Sequence, residues 1–428
     1  MRGRNSAAAV LASVLAFAVA AQAQVPVTTS TPENPNAPAV GSTKTLPATD
    51  LQPHLGTYAA SFLDPPYDDY LTFKKSISDN YNLDFSLDFS VYPQAGTPDG
   101  GKTVWLFVYY PSVAWRPFTD TSVGSGEFNF TFGQQAYMSS ADTGIQSERL
   151  HIITFPNDWV SDEYTWSTVA YTHTLPGGMN WLSFTGGQYN LFSFDPNEYA
   201  ANAQTGFIGY SFAQDATQTF PNAGLGLYTQ AKFGDGEQFQ LAGGFQGGTN
   251  LSGRAISIQG YRDGELLYWG NAQWTPKCPG WGEGIYSLLL YHQPFVPTIS
   301  DSSTGISFSA SQEITEQWGA FMRVNNATGN DLAVRTSIAF GGVRNDPFGH
   351  SPNDQLGLGF AWNKTNRNNV GMLEGGVRDG EWTSEIYYRY TVLKGLHLTP
   401  DVQIFFNPAL APQSGAAAVF TLRSTLSF

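Results

Sequence analysis

Polar side chains with complementary hydrogen-bonding groups recur at alternate positions near the end of the chain. Glu385, Tyr387 and Arg389 alternate in one segment, and Asp401 and Gln403 alternate in the next. Carboxylates accept hydrogen bonds, guanidinium and amide groups donate them, and an aromatic ring can stack on the apolar face of a polyhydroxylated solute. The same alternation extends the candidate solute-binding set to three further arginines: Arg323, Arg335 and Arg423.

These side chains can be interpreted in two ways. The pairs of opposite charge could simply neutralise one another and brace a protein wall. Alternatively, they could line a passage, where a single charge sign would select ions but a mixture favours a neutral polyhydroxyl solute. On the second interpretation, Arg389→Ala and Asp401→Ala should weaken sugar block of a channel and leave folding intact.

The elements that must position these residues are β-strands with one apolar and one polar face. Leu83–Tyr92 alternates over ten residues, and the final segment repeats the pattern, with Ala418, Phe420 and Leu422 on the apolar face. Such a period of two indicates strands, and ~9–11 residues is the length of a tilted strand crossing a bilayer. We predict about sixteen strands, with eighteen as the alternative because Val370–Val377 and Leu266–Gln273 alternate weakly.

Little helix is expected among these strands. The sequence shows no helical period longer than about three turns. One segment, Phe194–Ala213, lacks alternation and is predicted to be a loop that folds into the space between the strands and narrows it.

The N-terminus predicts export from the cytoplasm. Arg2 and Arg4 precede the small apolar stretch Ala7–Ala21, and Ala21-Gln22-Ala23 fits an A-x-A cleavage site. We therefore predict a signal peptide over residues 1–23, a flexible segment rich in Pro and Thr over 24–50, and a barrel domain over 51–428.

Composition narrows the class of protein. Charged residues make up 13% of the chain, about half the usual share, whereas 14% are aromatic and 45 are glycine. The formal net charge is −14, which argues against a nucleic-acid partner. The single cysteine, Cys278, excludes an intramolecular disulfide. No apolar run outside the N-terminus approaches the ~20 residues of a membrane-spanning helix.

Both a soluble all-β fold and a membrane barrel would alternate in this way. Long strands, the predicted signal peptide and a last strand ending in Phe428 favour a barrel in the outer membrane of a Gram-negative bacterium, surrounded by its lipid. Aromatic residues near strand ends are expected where an apolar band meets the two bilayer interfaces, as at Tyr109-Tyr110, Tyr268-Trp269, Trp274, Trp281 and Tyr387-Tyr388.

No motif in this sequence is sufficient evidence for an enzyme. Gly96–Thr103 matches the letters of a phosphate-binding loop, but it joins two alternating strands and contains Pro98, so we predict a hairpin loop. The six histidines lack metal-ligand spacing, and no G-x-S-x-G is present. We therefore predict no enzyme activity, no cofactor and no metal.

Two adjacent segments resemble the carbohydrate-selective porins of the OprB type. Ser384–Tyr390 followed by Leu398–Pro408 is similar to the family ending E-x-Y-Y-x-Y … L-T-P-D-x-Q-x-x-x-N-P, and Phe194–Ala200 and Asn353–Gly359 are also similar. The resemblance covers roughly residues 180–428. It implies a sixteen-stranded barrel that passes mono- or oligosaccharides by diffusion, without a cofactor.

Residue roles carry over only where this motif matches. Glu385, Arg389, Asp401 and Gln403 lie in the matching segments, whereas Arg323, Arg335 and Arg423 rest on strand alternation alone. Porins are often trimers, so a homotrimer is an expectation. Two alternatives stay open: a general diffusion porin with little solute preference, and a plugged barrel with a structural or adhesive role.

Overall fold

Sixteen antiparallel strands close into one barrel in the computed structural model, which describes residues 64–98, 102–295, 300–330, 332–368 and 376–428. Each strand pairs with its neighbours in sequence, and the first strand closes the barrel by pairing with the last. Closure leaves no free sheet edge, as a sheet surrounded by lipid requires. The strands are β1 Leu83–Thr97, β2 Thr103–Thr121, β3 Gly124–Tyr137, β4 Glu163–Thr174, β5 Leu182–Tyr189, β6 Gly224–Phe233, β7 Phe239–Gly247, β8 Leu266–Trp274, β9 Gly284–Gln293, β10 Ser300–Thr315, β11 Trp318–Asn330, β12 Val334–Asn345, β13 Gln355–Thr365, β14 Gly380–Leu393, β15 Leu396–Phe406 and β16 Ala416–Ser427.

The predicted count of sixteen is therefore confirmed. Of the two weakly alternating segments, Leu266–Gln273 lies in β8, whereas most of Val370–Val377 falls outside the described residues. The hairpin predicted at Gly96–Thr103 is also confirmed, because β1 ends at Thr97 and β2 begins at Thr103. The predicted signal peptide and the segment 24–50 lie outside the described residues.

In the part of the chain that the structure describes, helices are short, with one exception that the sequence analysis missed. They are α1 Asp64–Tyr81, α2 Thr143–Leu150, α3 Tyr210–Ala213 and α4 Gln259–Asp263, together with 3-10 turns at Gly177–Met179, Phe192–Phe194 and Asp235–Glu237. Among the described residues, no helix is long and apolar enough to cross a membrane.

Helix α1 has 18 residues, so the expectation of no helix beyond three turns was wrong. The helix is held by its contacts with the barrel. Tyr67 Oη donates a hydrogen bond to the Ser427 carbonyl at 3.1 Å, and Lys74 Nζ donates one to the Phe428 carbonyl at 3.1 Å. Packing against a neighbour can stabilise a helix whose own apolar periodicity is weak.

The alternation of inward and outward side chains is confirmed along the strands. In β15, His397, Thr399, Asp401, Gln403 and Phe405 are buried, and the intervening side chains are not. Outward tryptophans are exposed at Trp105, Trp115, Trp166, Trp274, Trp318 and Trp382. The aromatic residues at the strand ends differ in exposure. Trp269 and Tyr387 are buried and Tyr110 faces the interior, whereas Tyr268, Trp274 and Trp281 are exposed.

The barrel has two different rims. One rim carries short turns, such as those between β2 and β3 and between β14 and β15. Long connections leave the other rim, and two of them fold into the lumen: residues 138–162, between β3 and β4, here called the first inserted segment, and residues 190–223, between β5 and β6, here called the second inserted segment.

The apolar core of the molecule lies inside the barrel, where the second inserted segment meets the wall. Leu191, Phe207, Ile208 and Phe212 are fully buried there. Phe207, for example, packs against Phe321 of β11 and Tyr387 of β14, with ring centroids 4.9 Å away in both cases. The predicted entry of Phe194–Ala213 into the lumen is thus observed.

Candidate functional site

Two charged wall residues hold the second inserted segment. Glu385 of β14 accepts hydrogen bonds from the backbone N–H groups of Ile208 and Gly209 at 2.6 and 2.8 Å. Arg423 of β16 donates to the carbonyl oxygens of Ala203 and Gly206 at 2.6 and 2.8 Å. Both wall side chains are fully buried. They satisfy backbone groups of the segment that no secondary structure pairs.

Glycine at position 209 permits this close approach. A Cβ atom there would lie 2.6 Å from Glu385 Oε2 and 3.1 Å from the Phe212 ring. Any larger residue would push the backbone away from the carboxylate that receives its N–H group.

Other predicted site residues on these strands make similar contacts with protein groups. Arg389 Nη1 donates to the Thr205 carbonyl at 3.0 Å, and its Nε donates to the Asn353 carbonyl at 2.9 Å. Gln403 Nε2 donates to the Pro156 carbonyl of the first inserted segment at 2.7 Å. Strand register places Gln403 opposite Glu385, and buried Asp401 opposite Tyr387.

Arg323 of β11 connects the wall to both the second inserted segment and the open space beside it. It forms an ion pair with Asp195, and both side chains are buried. Asp195 also accepts a hydrogen bond from Ser307 Oγ at 2.8 Å. Desolvation raises the pKa of Asp195, and the positive charge of Arg323 acts against that increase.

Arg335 differs from the other predicted site residues. It is exposed at the start of β12, next to a register shift between Val334 and Thr336. Val334, which the simple alternation places outward with Ile338, is instead buried with Ile153, Ala216 and Ala409. The irregular register at this point changes which face Val334 occupies.

A polar cavity of ≈ 280 Å³ lies between the inserted segments and the wall formed by β1–β4. The wall contributes Ser86, Asp88, Tyr110, Ser112, Thr131, Gly133, Gln135, Glu163, Thr165 and Ser167. The first inserted segment contributes Asp158, Trp159, Val160 and Ser161. The second contributes Phe192, Asp195, Pro196, Ala201, Asn202, Ala203, Gln204, Tyr210, Ala213, Gln214, Gln218 and Asn222.

Of the eight predicted site residues, Arg323 is the one that belongs to this lining. Glu385, Tyr387, Arg389, Asp401, Gln403 and Arg423 lie on the wall that the inserted segments cover, as the contacts above show. A role of these residues in binding solute stays a prediction.

Aromatic rings and carboxylates give the cavity its chemical character. Trp159 Nε1 donates a hydrogen bond to Tyr110 Oη at 3.1 Å, which fixes two rings at the edge of the space. Four carboxylates line it, at Asp88, Asp158, Glu163 and Asp195, against the single cation Arg323 within the described lining. Desolvation raises the pKa of Asp158 to about 7, and Arg323 acts in the opposite direction.

Sequence reasoning found only part of this lining. Alternation in β1 placed Ser86 and Asp88 on the polar face, and the structure puts both at the cavity. Tyr110, Asp158 and Trp159 were missed as site residues. The latter two lie in a connection without periodicity, so no strand pattern could reveal that they turn into the lumen.

Comparisons with known proteins agree with this architecture. The family model described as "Carbohydrate-selective porin, OprB family" matches residues 296–428. Porin AaxA of Chlamydia pneumoniae is 31% identical over 361 residues, covering 82% of this chain and 81% of that protein. Porin AaxA of Chlamydia felis (strain Fe/C-56) is 29% identical over 375 residues, covering 85% and 83%. The high pH structure of Pseudomonas putida OprB superposes with a TM-score of 0.67 at 16% identity, covering 84% of this chain and 97% of that one.

The barrel, its inserted segments and its polar cavity define an outer-membrane porin. In such barrels the short turns face the periplasm and the long loops face the cell exterior. The chain belongs to the OprB porin family. It is a channel protein and not an enzyme.

Proposed function

We propose that the protein lets small neutral sugars diffuse passively across the outer membrane through the cavity beside β1–β4. The observation that carries the proposal is the lining of that cavity. Hydroxyl and amide groups, among them Ser112, Thr131 and Gln204, alternate there with the rings of Tyr110, Trp159 and Tyr210. Such groups can exchange hydrogen bonds with sugar hydroxyls, and rings can cover the apolar faces of a sugar.

The description of the matching family as carbohydrate-selective supports the same proposal. The mixed charges at Glu385 and Arg423 support it less, because both groups already bond backbone atoms of the second inserted segment. Solute recognition is therefore proposed for the β1–β4 side.

Sugar block of single-channel current tests the proposal. Trp159→Ala removes one ring from the cavity, and we expect block by a disaccharide to weaken about fivefold, equivalent to about 1 kcal/mol of stacking. Trp115→Ala is the matched control, since this tryptophan lies outward on β2 and is exposed. Equal block in wild type and Trp159→Ala would contradict a sugar contact at this ring.

A second candidate is preferential passage of small cations. The four lining carboxylates exceed the single lining arginine, and Arg323 is already paired with Asp195. An acidic wall raises the local concentration of cations and disfavours anions.

Liposome swelling separates these candidates. Proteoliposomes are compared in glucose and in zwitterionic, cationic and anionic amino acids of similar size. Fast entry of glucose supports the sugar proposal, whereas entry that favours the cationic amino acid alone supports the second candidate. Equal rates for all solutes would indicate a general diffusion porin, and no conductance in planar bilayers would indicate a plugged barrel. The homotrimer stays a prediction.

A further inference from the structure

The two inserted segments meet inside the lumen at a contact between Phe155 and Tyr210, here called the segment junction. The Tyr210 N–H group of the second segment donates a hydrogen bond to the Phe155 carbonyl of the first at 3.1 Å. The two rings meet edge to face, with centroids 5.3 Å apart and an interplanar angle of 84°. Tyr210 also lines the cavity, so the junction lies at the edge of that space.

Carboxylates from both segments flank this junction. Asp158 follows Phe155 in the first segment, and Asp215 follows Tyr210 in the second. Asp215 is fully buried, and its Oδ1 accepts hydrogen bonds from the N–H and Oγ1 groups of Thr217 at 2.8 Å each. Among the described residues, Asp215 Oδ2 and Asp158 Oδ1 have no hydrogen-bond partner.

Too little positive charge faces these carboxylates to compensate them. Arg323 interacts with both Asp158 and Asp215, but it is committed to the ion pair with Asp195. Asp195 faces Asp215 with a further negative charge. The remaining groups are phenols, which are neutral at physiological pH: Tyr92, Tyr110, Tyr210 and Tyr291. Ionising both groups therefore places one negative charge on half-buried Asp158 and another on fully buried Asp215, with no further cation in the described part of the chain to compensate either, which is costly in a medium of low polarity.

We propose that the segment junction is a proton-operated gate, closed when Asp158 and Asp215 are protonated and loosened when both are ionised. Protonated carboxyls can keep these positions beside the junction at little cost. Ionised ones gain by moving toward water, and Asp215 is also repelled by Asp195. This inference rests on the proposed function only in using a neutral sugar as the probe of passage.

The pH range follows from the titration of the two groups. The pKa of Asp158 and that of Asp215 are both raised from an ordinary value of 3.8 to about 7, mainly by desolvation and, for Asp215, also by the negative charge of Asp195. The closed junction thus binds more protons than the loosened one. Its stability is greatest at acid pH, falls as the pH rises from about 4 to about 7, and is level above that range.

Sugar flux at two pH values tests the gate. Liposome swelling with glucose should be about twofold or more faster at about pH 8 than at about pH 5, because a neutral solute does not respond directly to lining charge. The variant Asp158→Asn/Asp215→Asn should swell at the slow rate at both pH values. Asp235→Asn is the control, since this exposed carboxylate lies in the β6–β7 turn and its loss should leave the wild-type pH effect.

Hydrogen exchange provides a readout that does not depend on sugar passage. After correction for intrinsic exchange, the peptide containing Tyr210 should exchange faster at high pH in the wild type, and the single variant Asp158→Asn should reduce the difference. If no sugar enters at any pH, the proposed function fails, while this exchange difference still supports the gate. The gate is overturned if exchange and flux of the wild type are both independent of pH. It is also overturned if the double variant keeps the wild-type pH effect.

Discussion

The lumen wall has two sides that follow the same strand pattern but meet different surroundings. On the side of β13–β16, inward polar groups such as Glu385 and Arg423 are fully buried and bond the backbone of the second inserted segment. On the side of β1–β4, inward groups such as Ser112 bond one another and line a cavity. Inward orientation alone therefore does not make a residue part of the passage.

The electrostatics of the two sides also differ, because their inward groups meet different surroundings. Arg423 is shielded from water and bonds two carbonyl groups at fixed positions. Arg116, on β2, pairs with Asp84 and Glu127 while part of its side chain stays in contact with solvent. A buried charged hydrogen bond contributes more to stability than a solvated ion pair, because its loss leaves buried partners unsatisfied.

Arg423→Ala should have the largest effect of the variants that test this difference. It leaves the Gly206 carbonyl group without a donor and the Ala203 carbonyl group with the Tyr92 hydroxyl at 3.3 Å as its donor, and we expect the free energy of unfolding to fall by about 3 kcal/mol. Single-channel conductance should rise as the second inserted segment loosens. Urea unfolding in detergent micelles and planar-bilayer recording measure the two effects.

Arg335→Ala is the matched control, because this arginine is exposed. Its unfolding free energy should stay within about 0.5 kcal/mol of wild type. Similar losses of unfolding free energy in both variants would mean that burial of Arg423 does not determine its contribution to stability.

Glu385→Ala should have an intermediate effect of about 2 kcal/mol, since two backbone N–H groups lose their acceptor. Amide exchange at Ile208 and Gly209 should accelerate more than exchange elsewhere in the segment. Glu385→Gln keeps one carbonyl acceptor, so it should lose about half as much stability. Unchanged exchange at both amides in Glu385→Ala would show that other contacts suffice to hold the segment.

Arg116→Ala should have the smallest effect on stability, below about 1 kcal/mol, and high salt should reduce it further. Its effect on transport should be clearer, because Asp84 and Glu127 lose their counter-charge at the wall. Reversal potentials in a salt gradient should shift toward cation preference. A stability loss as large as that of Arg423→Ala would remove the distinction between the two sides.

Much of the barrel could be predicted from the sequence. The alternation in Leu396–Phe406 identified which side chains point inward, and burial along β15 agrees at every position. It failed where local regularity is broken, as at Val334 beside a register shift. It also missed α1, whose stability comes from contacts such as that of Tyr67 with the Ser427 carbonyl.

The candidate site was less accessible to sequence reasoning. Asp88 and Ser86 were placed on the polar face of a strand, but Trp159 and Asp158 lie in a connection whose path no local pattern encodes. Glu385 and Arg389 were recognised by motif, and their interpretation as solute ligands competed with a bracing role. Their contacts with Gly209 and Thr205 in the folded protein favour bracing.

The sequence by itself determined the class of fold and the inward face of most strands, because a period of two is a local property of neighbouring residues. Only the tertiary structure decided which inward residues meet solute. That depends on where the two inserted segments lie, and their positions are set by contacts between residues far apart in the chain. Gly209 and Glu385, for example, are 176 positions apart and bond at 2.8 Å.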